Sequence, residues 1–296
     1  MRTARTLSTP TPSSRAARAL AGAAVVALGA TMLVACAPED SDDAPAGDEG
    51  DGALPTLTEG TLTIGTSDPA YEPWMVDNDP TNGEGYESAV AYAVAAELGF
   101  APEDVEWVRV SFDQIIAPGE KSFDFAINQV SISDERRENL DFSSSYYDTA
   151  QAVVTIGSSP AADATSLAEL AELRIGAMVG TTSATVATES IAPSTDVQLF
   201  NDNDQVKQAL TSGLVDAIVV DLPTALYITA AELEDGVLVG QLPAGDNPDQ
   251  FGLVLDKGSA LTEAVTAAVD ALRADGTLAD LEAQWLTDAA GAPVLD

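Results

Sequence analysis

From Thr61 onward, short apolar runs rich in β-branched residues alternate with longer stretches whose apolar positions recur at helical spacing. The runs Thr61–Thr66 (TLTIGT), Ala152–Gly157 (AVVTIG), Arg174–Val179 (RIGAMV), Val215–Asp221 (VDAIVVD) and Phe251–Leu255 (FGLVL) have strand length, and Phe123–Ile127 is a further strand. Tyr86–Leu98 is Ala-rich, places Ala89, Val90, Ala93, Val94 and Leu98 at helical spacing, and stops at Gly99, a residue suited to the position past a helix end. A second helix, capped by Ser259, has Leu261, Val265, Val269 and Leu272 on its inner face and closes at Gly276. This alternation predicts an α/β fold with mainly parallel sheets. No short-period repeat interrupts it, and 296 residues suit one or two domains.

The chain before Thr61 follows a different pattern. Arg2, Arg5, Arg15 and Arg18 make a basic start, no acid precedes Glu39, and Ala19 to Ala35 is an uncharged, mostly apolar stretch of 17 residues. A spanning helix needs about 20 apolar residues, so this stretch reads as a signal-peptide core over residues 1–35. It ends in Leu33-Val34-Ala35-Cys36, which resembles the lipobox of bacterial lipoproteins. That arrangement implies lipid on the Cys36 sulfur and cleavage before it. A buried thiol and an uncleaved short anchor are the two other readings of Cys36. Residues 36–58 are rich in Pro, Gly, Ala and acids, too poor in apolar groups to offset their ordering entropy, and predict an acidic flexible tether. A coil of this length reaches about 25 Å, enough to hold a folded domain just off a lipid surface.

Charge and rare residues narrow the chemistry. Against 48 Asp+Glu stand only 12 Lys+Arg, for a net charge of −36. Nucleic-acid binding requires a basic stripe that displaces counterions, and outside the N-terminus none forms. The chain has no His and one Cys. Imidazole acid–base catalysis, Ser-His and Cys-His nucleophiles, zinc sites of imidazole and thiolate, and an intrachain disulfide are therefore excluded. No cofactor or metal is expected.

Several loops follow the carboxyl ends of the strands, where open α/β sheets place ligands. These are Ser67-Asp68-Pro69-Ala70-Tyr71-Glu72-Pro73-Trp74, then Gln129 through Arg137, then Gly180-Thr181-Thr182-Ser183, and Asp221-Leu222-Pro223-Thr224. Together with GTSDPAYEPW, Gly85-Tyr86-Glu87, SISDERRENLDFSSSYY, VGTTS, VDAIVVDLP, DQFGLVLDKGS and DGTLADLEAQWL, they give the chain from Thr61 to Leu286 its resemblance to the polar amino-acid branch of bacterial extracellular solute-binding proteins, family 3. No single piece is specific; their order and spacing are. The resemblance implies a two-lobed, type II periplasmic-binding-protein-like fold with two crossover strands, near Tyr146–Ala150 and Gly245–Asp249. Lobe 1 would comprise 59–150 plus 247–296, and lobe 2 would comprise 151–246. It also implies a monomeric, lipid-anchored extracytoplasmic protein that captures an amino acid and hands it to an ABC permease.

An amino acid presents a carboxylate, an ammonium and a side chain. The planar fork of Arg suits the carboxylate, and the family's carboxylate-binding Arg maps onto Arg136. Its alternative is a surface ion pair with Glu135 or Asp134. Gly180-Thr181-Thr182-Ser183 opens a helix, so Thr181 and Thr182 are either a simple cap or a second carboxylate contact. Ser131 and the Gln129 carbonyl are candidate partners for carboxylate and ammonium. Asp221, at a strand end, is either a helix cap or the acid that binds the α-ammonium. For the ligand side chain the resemblance supplies Tyr71 as a stacking ring and Asp68 as an acid for cationic ligands, or else as a cap of the following turn. Trp74 falls in the same loop, at a position more often core in the family, and Met178, just before Val179-Gly180, adds a soft wall. With Arg136 the only base in these segments, the pocket leans to cationic or neutral ligands, because a buried acidic side chain would lack a counter-ion. A sensory lobe pair for a signalling partner and an enzyme such as a dehydratase on the same fold are the competing functions. A P-loop is absent, and Asp77-Asn78-Asp79 lacks the Gly that a calcium loop needs at its sixth position.

Overall fold

A computed structural model describes residues 54–243, 249–286 and 292–296, all within the unit Gly50–Asp296. Five strands make the first sheet: β1 (Leu62–Thr66), β2 (Val105–Arg109), β3 (Phe125–Ala126), β4 (Leu140–Thr149) and the late strand β10 (Asp249–Asp256). The second contains β5 (Gln151–Ile156), β6 (Ile175–Met178), β7 (Gln198–Phe200), β8 (Ala217–Asp221) and β9 (Gly236–Gln241). The strand orders are β2-β1-β3-β10-β4 and β7-β6-β8-β5-β9.

Both faces of each sheet are covered, which is why the strands read as nearly unbroken apolar runs. In the first sheet Phe251, Leu253 and Leu255 of β10 join Leu62 and Ile64 of β1 beneath α1 (Tyr86–Glu97), and Val254 points to the opposite face, against α2 (Phe112–Ile116). The short α3 (Asp134–Arg137) buries none of its residues and precedes β4. In the second sheet Ala152, Val154, Ile218 and Val220 face one core and Val153, Ala217 and Val219 the other. Flanking them are α4 (Leu167–Leu170), α5 (Thr182–Val186), α6 (Asn203–Thr211) and α7 (Leu222–Tyr227). Finally α8 (Thr262–Asp275) and α9 (Thr277–Trp285) return to the first lobe, with Val265, Val269, Leu272 and Leu278 in its core. Each such aliphatic side chain contributes roughly 1.5–3 kcal/mol of burial.

The lobes are joined where the chain passes between sheets. β4 runs into β5 with only Ala150 between them, and the return passage leads from β9 to β10; of the latter crossing, expected near Gly245–Asp249, residues 244–248 lie outside the described residues. Because both crossing strands enter from the opposite lobe, they pair antiparallel: β10 with β3 and β4, and β5 with β8 and β9. The sheets are therefore mixed, and the expectation of mainly parallel pairing is corrected.

Other expectations change at their edges. The first helix matches its predicted span, with Gly99 at φ 88° past its end. Ser259 does not cap α8 directly: its hydroxyl accepts from Leu261 N at 3.2 Å, in a turn before the helix starts at Thr262. The tether expected over 36–58 yields its last five residues to the fold. Leu54 packs on the lobe 1 core and Leu57 N donates to Asp124 Oδ1 at 2.7 Å. The tail belongs to lobe 2 and not to lobe 1 as expected, because Leu295 is buried in the lobe 2 core and Val294 bridges Gln241 of β9. The expected signal segment and Cys36 lie outside the described residues. Among those described, no helix is long and apolar enough to cross a membrane.

At the hinge end of lobe 1, Trp74 is fully buried and packs edge-on against Tyr86, Tyr147 and Phe251. Gly85 makes this possible. Its φ is 94°, and a Cβ there would lie 2.5 Å from the Trp74 carbonyl oxygen. Gly85→Ala is expected to cost about 3 kcal/mol or more, combining backbone strain with the displacement of Trp74, read as a drop in melting temperature of several degrees.

Candidate ligand-binding cleft

The two sheets direct their loops at a shared cavity that offers about 50 Å³ to a water-sized sphere. Eight of the expected residues line it: Tyr71, Gln129, Ser131, Arg136, Met178, Thr181, Thr182 and Asp221. Two do not. Asp68 is exposed and accepts a hydrogen bond from Asn78 Nδ2 at 3.1 Å, and Trp74 belongs to the aromatic core just described.

The lobe 1 wall is built on an unusual backbone. Gln129 has φ 46°, a conformation disfavoured for residues with a Cβ, and the adjacent Glu87 carboxylate holds it there. Gln129 N donates to Glu87 Oε1 at 2.6 Å, and the Gln129 side-chain amide and the Tyr146 hydroxyl donate to the same carboxylate. Glu87 opens α1 and is fully buried. Two residues on, Ser131 directs its hydroxyl at Thr182 Oγ1, 3.0 Å away across the cleft. Arg136 Nη1 donates to Ser131 O at 2.6 Å and Nη2 to Gly180 O at 3.0 Å, so one guanidinium touches both lobes. It packs over Phe112 and forms no ion pair with Glu135 or Asp134. A guanidinium has five N–H donors, so others remain for a ligand.

On the lobe 2 side, Thr181 caps α5: its hydroxyl accepts from Ala184 N at 3.2 Å and donates to Met178 O at 2.7 Å. Thr182 is free of that duty and faces the cleft. Asp221 precedes α7 yet makes no side-chain cap; instead its Oδ1 accepts from Gln151 Nε2 at 2.7 Å. Asp221 is half-buried and lines the cavity, and burial, then the nearby Asp249 carboxylate, push its pKa up to about 8. Burial also pulls the Arg136 pKa down, against the carboxylates of Asp249, Glu135 and Asp221.

Further contacts hold the lobes together around the cavity. Trp74 Nε1 donates to Thr224 Oγ1 at 2.8 Å, Tyr227 OH to Glu72 Oε2 at 2.9 Å, and Lys207 Nζ lies 5.7 Å from the centre of the Tyr71 ring. The arrangement is a closed clamp with a guanidinium and a carboxyl group on opposite walls. Sequence reasoning did not find Glu87, Asn128, Gln151, Asn203 or Asp249. Glu87 and Asp249 stand in motifs that carried the resemblance, but an acid gives no local sign that it will turn inward.

The model of bacterial extracellular solute-binding proteins, family 3, matches residues 62–288. The chain belongs to this family. Among family 3 relatives, the L-cystine-binding protein TcyJ of Escherichia coli is 29% identical over 232 residues, covering 76% of this chain and 82% of that protein. The L-arginine-binding protein of Pseudomonas aeruginosa is 27% identical over 237 residues, covering 74% and 85%. An ancestral arginine-binding protein bound to glutamine superposes with a TM-score of 0.65 at 30% identity, covering 77% of this chain and 98% of that one. The fold of this family 3 chain is that of the type II binding proteins, and its role is solute binding.

Glu87 makes the lobe 1 wall sensitive to pH. Burial pushes its pKa from 4.5 to about 7, against the hydrogen bonds from Tyr146 and Gln129 that favour the anion. Between these values the folded protein retains a proton that the unfolded chain has released. Its contribution is therefore most favourable below pH 4.5 and is lost as pH rises through about 7. Against a Glu87→Gln reference, wild-type stability is expected to fall by on the order of 3 kcal/mol across this range, measured by denaturant melts at stepped pH. A difference that stays constant with pH contradicts the assignment.

Proposed function

We propose that this protein is the extracytoplasmic amino-acid-binding component of an ABC importer, anchored through lipid on Cys36 after removal of residues 1–35. The observation that carries the reading is the placement of Arg136 from lobe 1 and Asp221 from lobe 2 on opposite walls of one cavity. An α-amino acid has the complementary charges at a fixed spacing. Arg136, with Ser131 and Thr182, receives the carboxylate; Asp221, with the Gln129 carbonyl, receives the ammonium. Only the closed state offers both sets, so ligand binding favours closure by its differential affinity for that state.

Tyr71 and Met178 flank the space left for a side chain. Since Asp68 is turned away from the cavity, its expected role toward cationic side chains is withdrawn. The preference for cationic or neutral polar amino acids rests on the lining itself, where Arg136 is the only base and is occupied by the ligand carboxylate. The arginine-binding relatives support this preference. The lipid anchor and signal peptide rest on the N-terminal sequence pattern.

Thermal melts of residues 37–296, purified free of ligand, against each L-amino acid at about 1 mM test the reading. A ligand with a dissociation constant near 1 μM stabilises by about 4 kcal/mol under these conditions. That corresponds to a shift of roughly 2–4 °C per kcal/mol. The shift is expected for Arg, Lys, His or Gln, and is expected to vanish in Arg136→Ala and Asp221→Ala. A preference for glutamate sinks the charge assignment, and no shift with any amino acid sinks the reading as a whole.

A further inference from the structure

We propose that Asp249, the first residue of β10 and part of the hinge, is a specificity-determining residue that selects ligands carrying an extra positive charge. The inference rests on the amino-acid reading of the cleft. Asp249 Oδ2 accepts from Thr182 Oγ1 at 2.8 Å and from Gln151 Nε2 at 2.8 Å. The same Gln151 nitrogen donates to Asp221 Oδ1 at 2.7 Å. Two carboxyl groups are thus held on one amide, Asp221 on the cavity wall and Asp249 behind Thr182. Gln151 is itself fixed, because its Oε1 accepts from Ser183 Oγ at 2.6 Å.

Among the described residues neither carboxylate has a basic partner. The ion pairs are Arg174–Asp216, Lys207–Asp204, Lys207–Glu232 and Lys257–Asp141, all elsewhere. Among the described residues that line the cavity Arg136 is the only basic one, and its donors meet carbonyl oxygens of Ser131 and Gly180. When a zwitterion pairs its carboxylate with Arg136 and its ammonium with Asp221, Asp249 is left without an ion-pair partner of its own in a partly desolvated site. A ligand with a second cationic group compensates it, and a neutral ligand of the same shape does not. Asp249 acts through its charge, behind Thr182, and needs no direct contact with the ligand; the Coulomb interaction at low local dielectric has that reach. Discrimination of this kind penalises the wrong ligand as much as it rewards the right one.

The test compares matched ligands by isothermal titration of the purified protein: arginine against citrulline, which replaces guanidinium by urea, and lysine against glutamine. Wild type is expected to bind the cationic member of each pair at least tenfold more tightly. In Asp249→Asn, which preserves size and an acceptor for Thr182, that ratio is expected to fall at least fivefold through weaker binding of the cationic member. Asp249→Ser, which removes the charge and shortens the side chain, is expected to do the same and serves if the Asn variant melts early. Asp249→Glu is expected to retain the ratio. Equal losses for both members, or an unchanged ratio in the Asn and Ser variants, assign Asp249 a structural role and overturn the proposal. Asp221→Ala is the control for the grip on the ammonium and is expected to abolish binding of all four ligands. Failure of wild type to bind any of the four overturns this proposal, whereas the amino-acid reading falls only if the full panel of melts is also silent; binding with an unchanged ratio overturns this proposal alone.

Discussion

The passage of the chain between its two sheets organises everything else. With a single residue, Ala150, between β4 and β5, the sheets are tied end to end, and β10 returns beside β4 so that Asp249 faces Thr149. The parallel strands of each lobe then point their carboxyl ends at the same gap, the position where α/β sheets leave room for ligands. Gln151 stands at one crossing and Asp249 at the other, and the hydrogen bond between them joins the two crossings at the floor of the cleft. A change in lobe angle must pass through these two strands, so the groups that meet the ligand and the groups that bend are neighbours in one polar network.

That network concentrates features which stable cores avoid. Gln129 holds a positive φ, Glu87 is an acid without a cation, and Asp221 is an acid whose nearest charged neighbour of note is another acid. Each costs folding free energy and persists because the surroundings over-determine it: Glu87 fixes Gln129, Gln151 fixes Asp221, and the well-packed sheets behind them supply the stability. Such departures from local rules are expected where a site must present polar groups to a ligand and exclude water. Elsewhere the same residue types serve ordinary ends, as in the Arg174–Asp216 fork that braces the starts of β6 and β8.

The residues of the cleft differed in how well the sequence foretold them. Asp221 is the last residue of β8, Thr182 opens α5 just beyond β6, and Arg136 stands in α3 on the loop that follows β3. Their positions were therefore readable from the strand pattern with the family likeness. Asp68 and Trp74 sit in a longer loop whose path depends on the rest of lobe 1: Trp74 was drawn into an aromatic core over Gly85, and Asp68 was turned outward beside Asn78. Asp249 escaped notice because it lies far in sequence from Thr182 and Asp221 and approaches them only when the second crossing closes.

By itself the sequence determined the α/β character, the strand runs with two buried faces, the span of the first helix and the scarcity of bases that makes Arg136 conspicuous. These depend on local periodicity and composition, which a chain carries with it in any environment. The direction of pairing in the crossing strands, the attachment of the C-terminal tail to lobe 2 and the meeting of Glu87 with Gln129 and of Asp249 with Asp221 belong to the tertiary structure alone. Each is a contact between segments distant along the chain, and only the packing of the lobes sets which polar groups face one another across it.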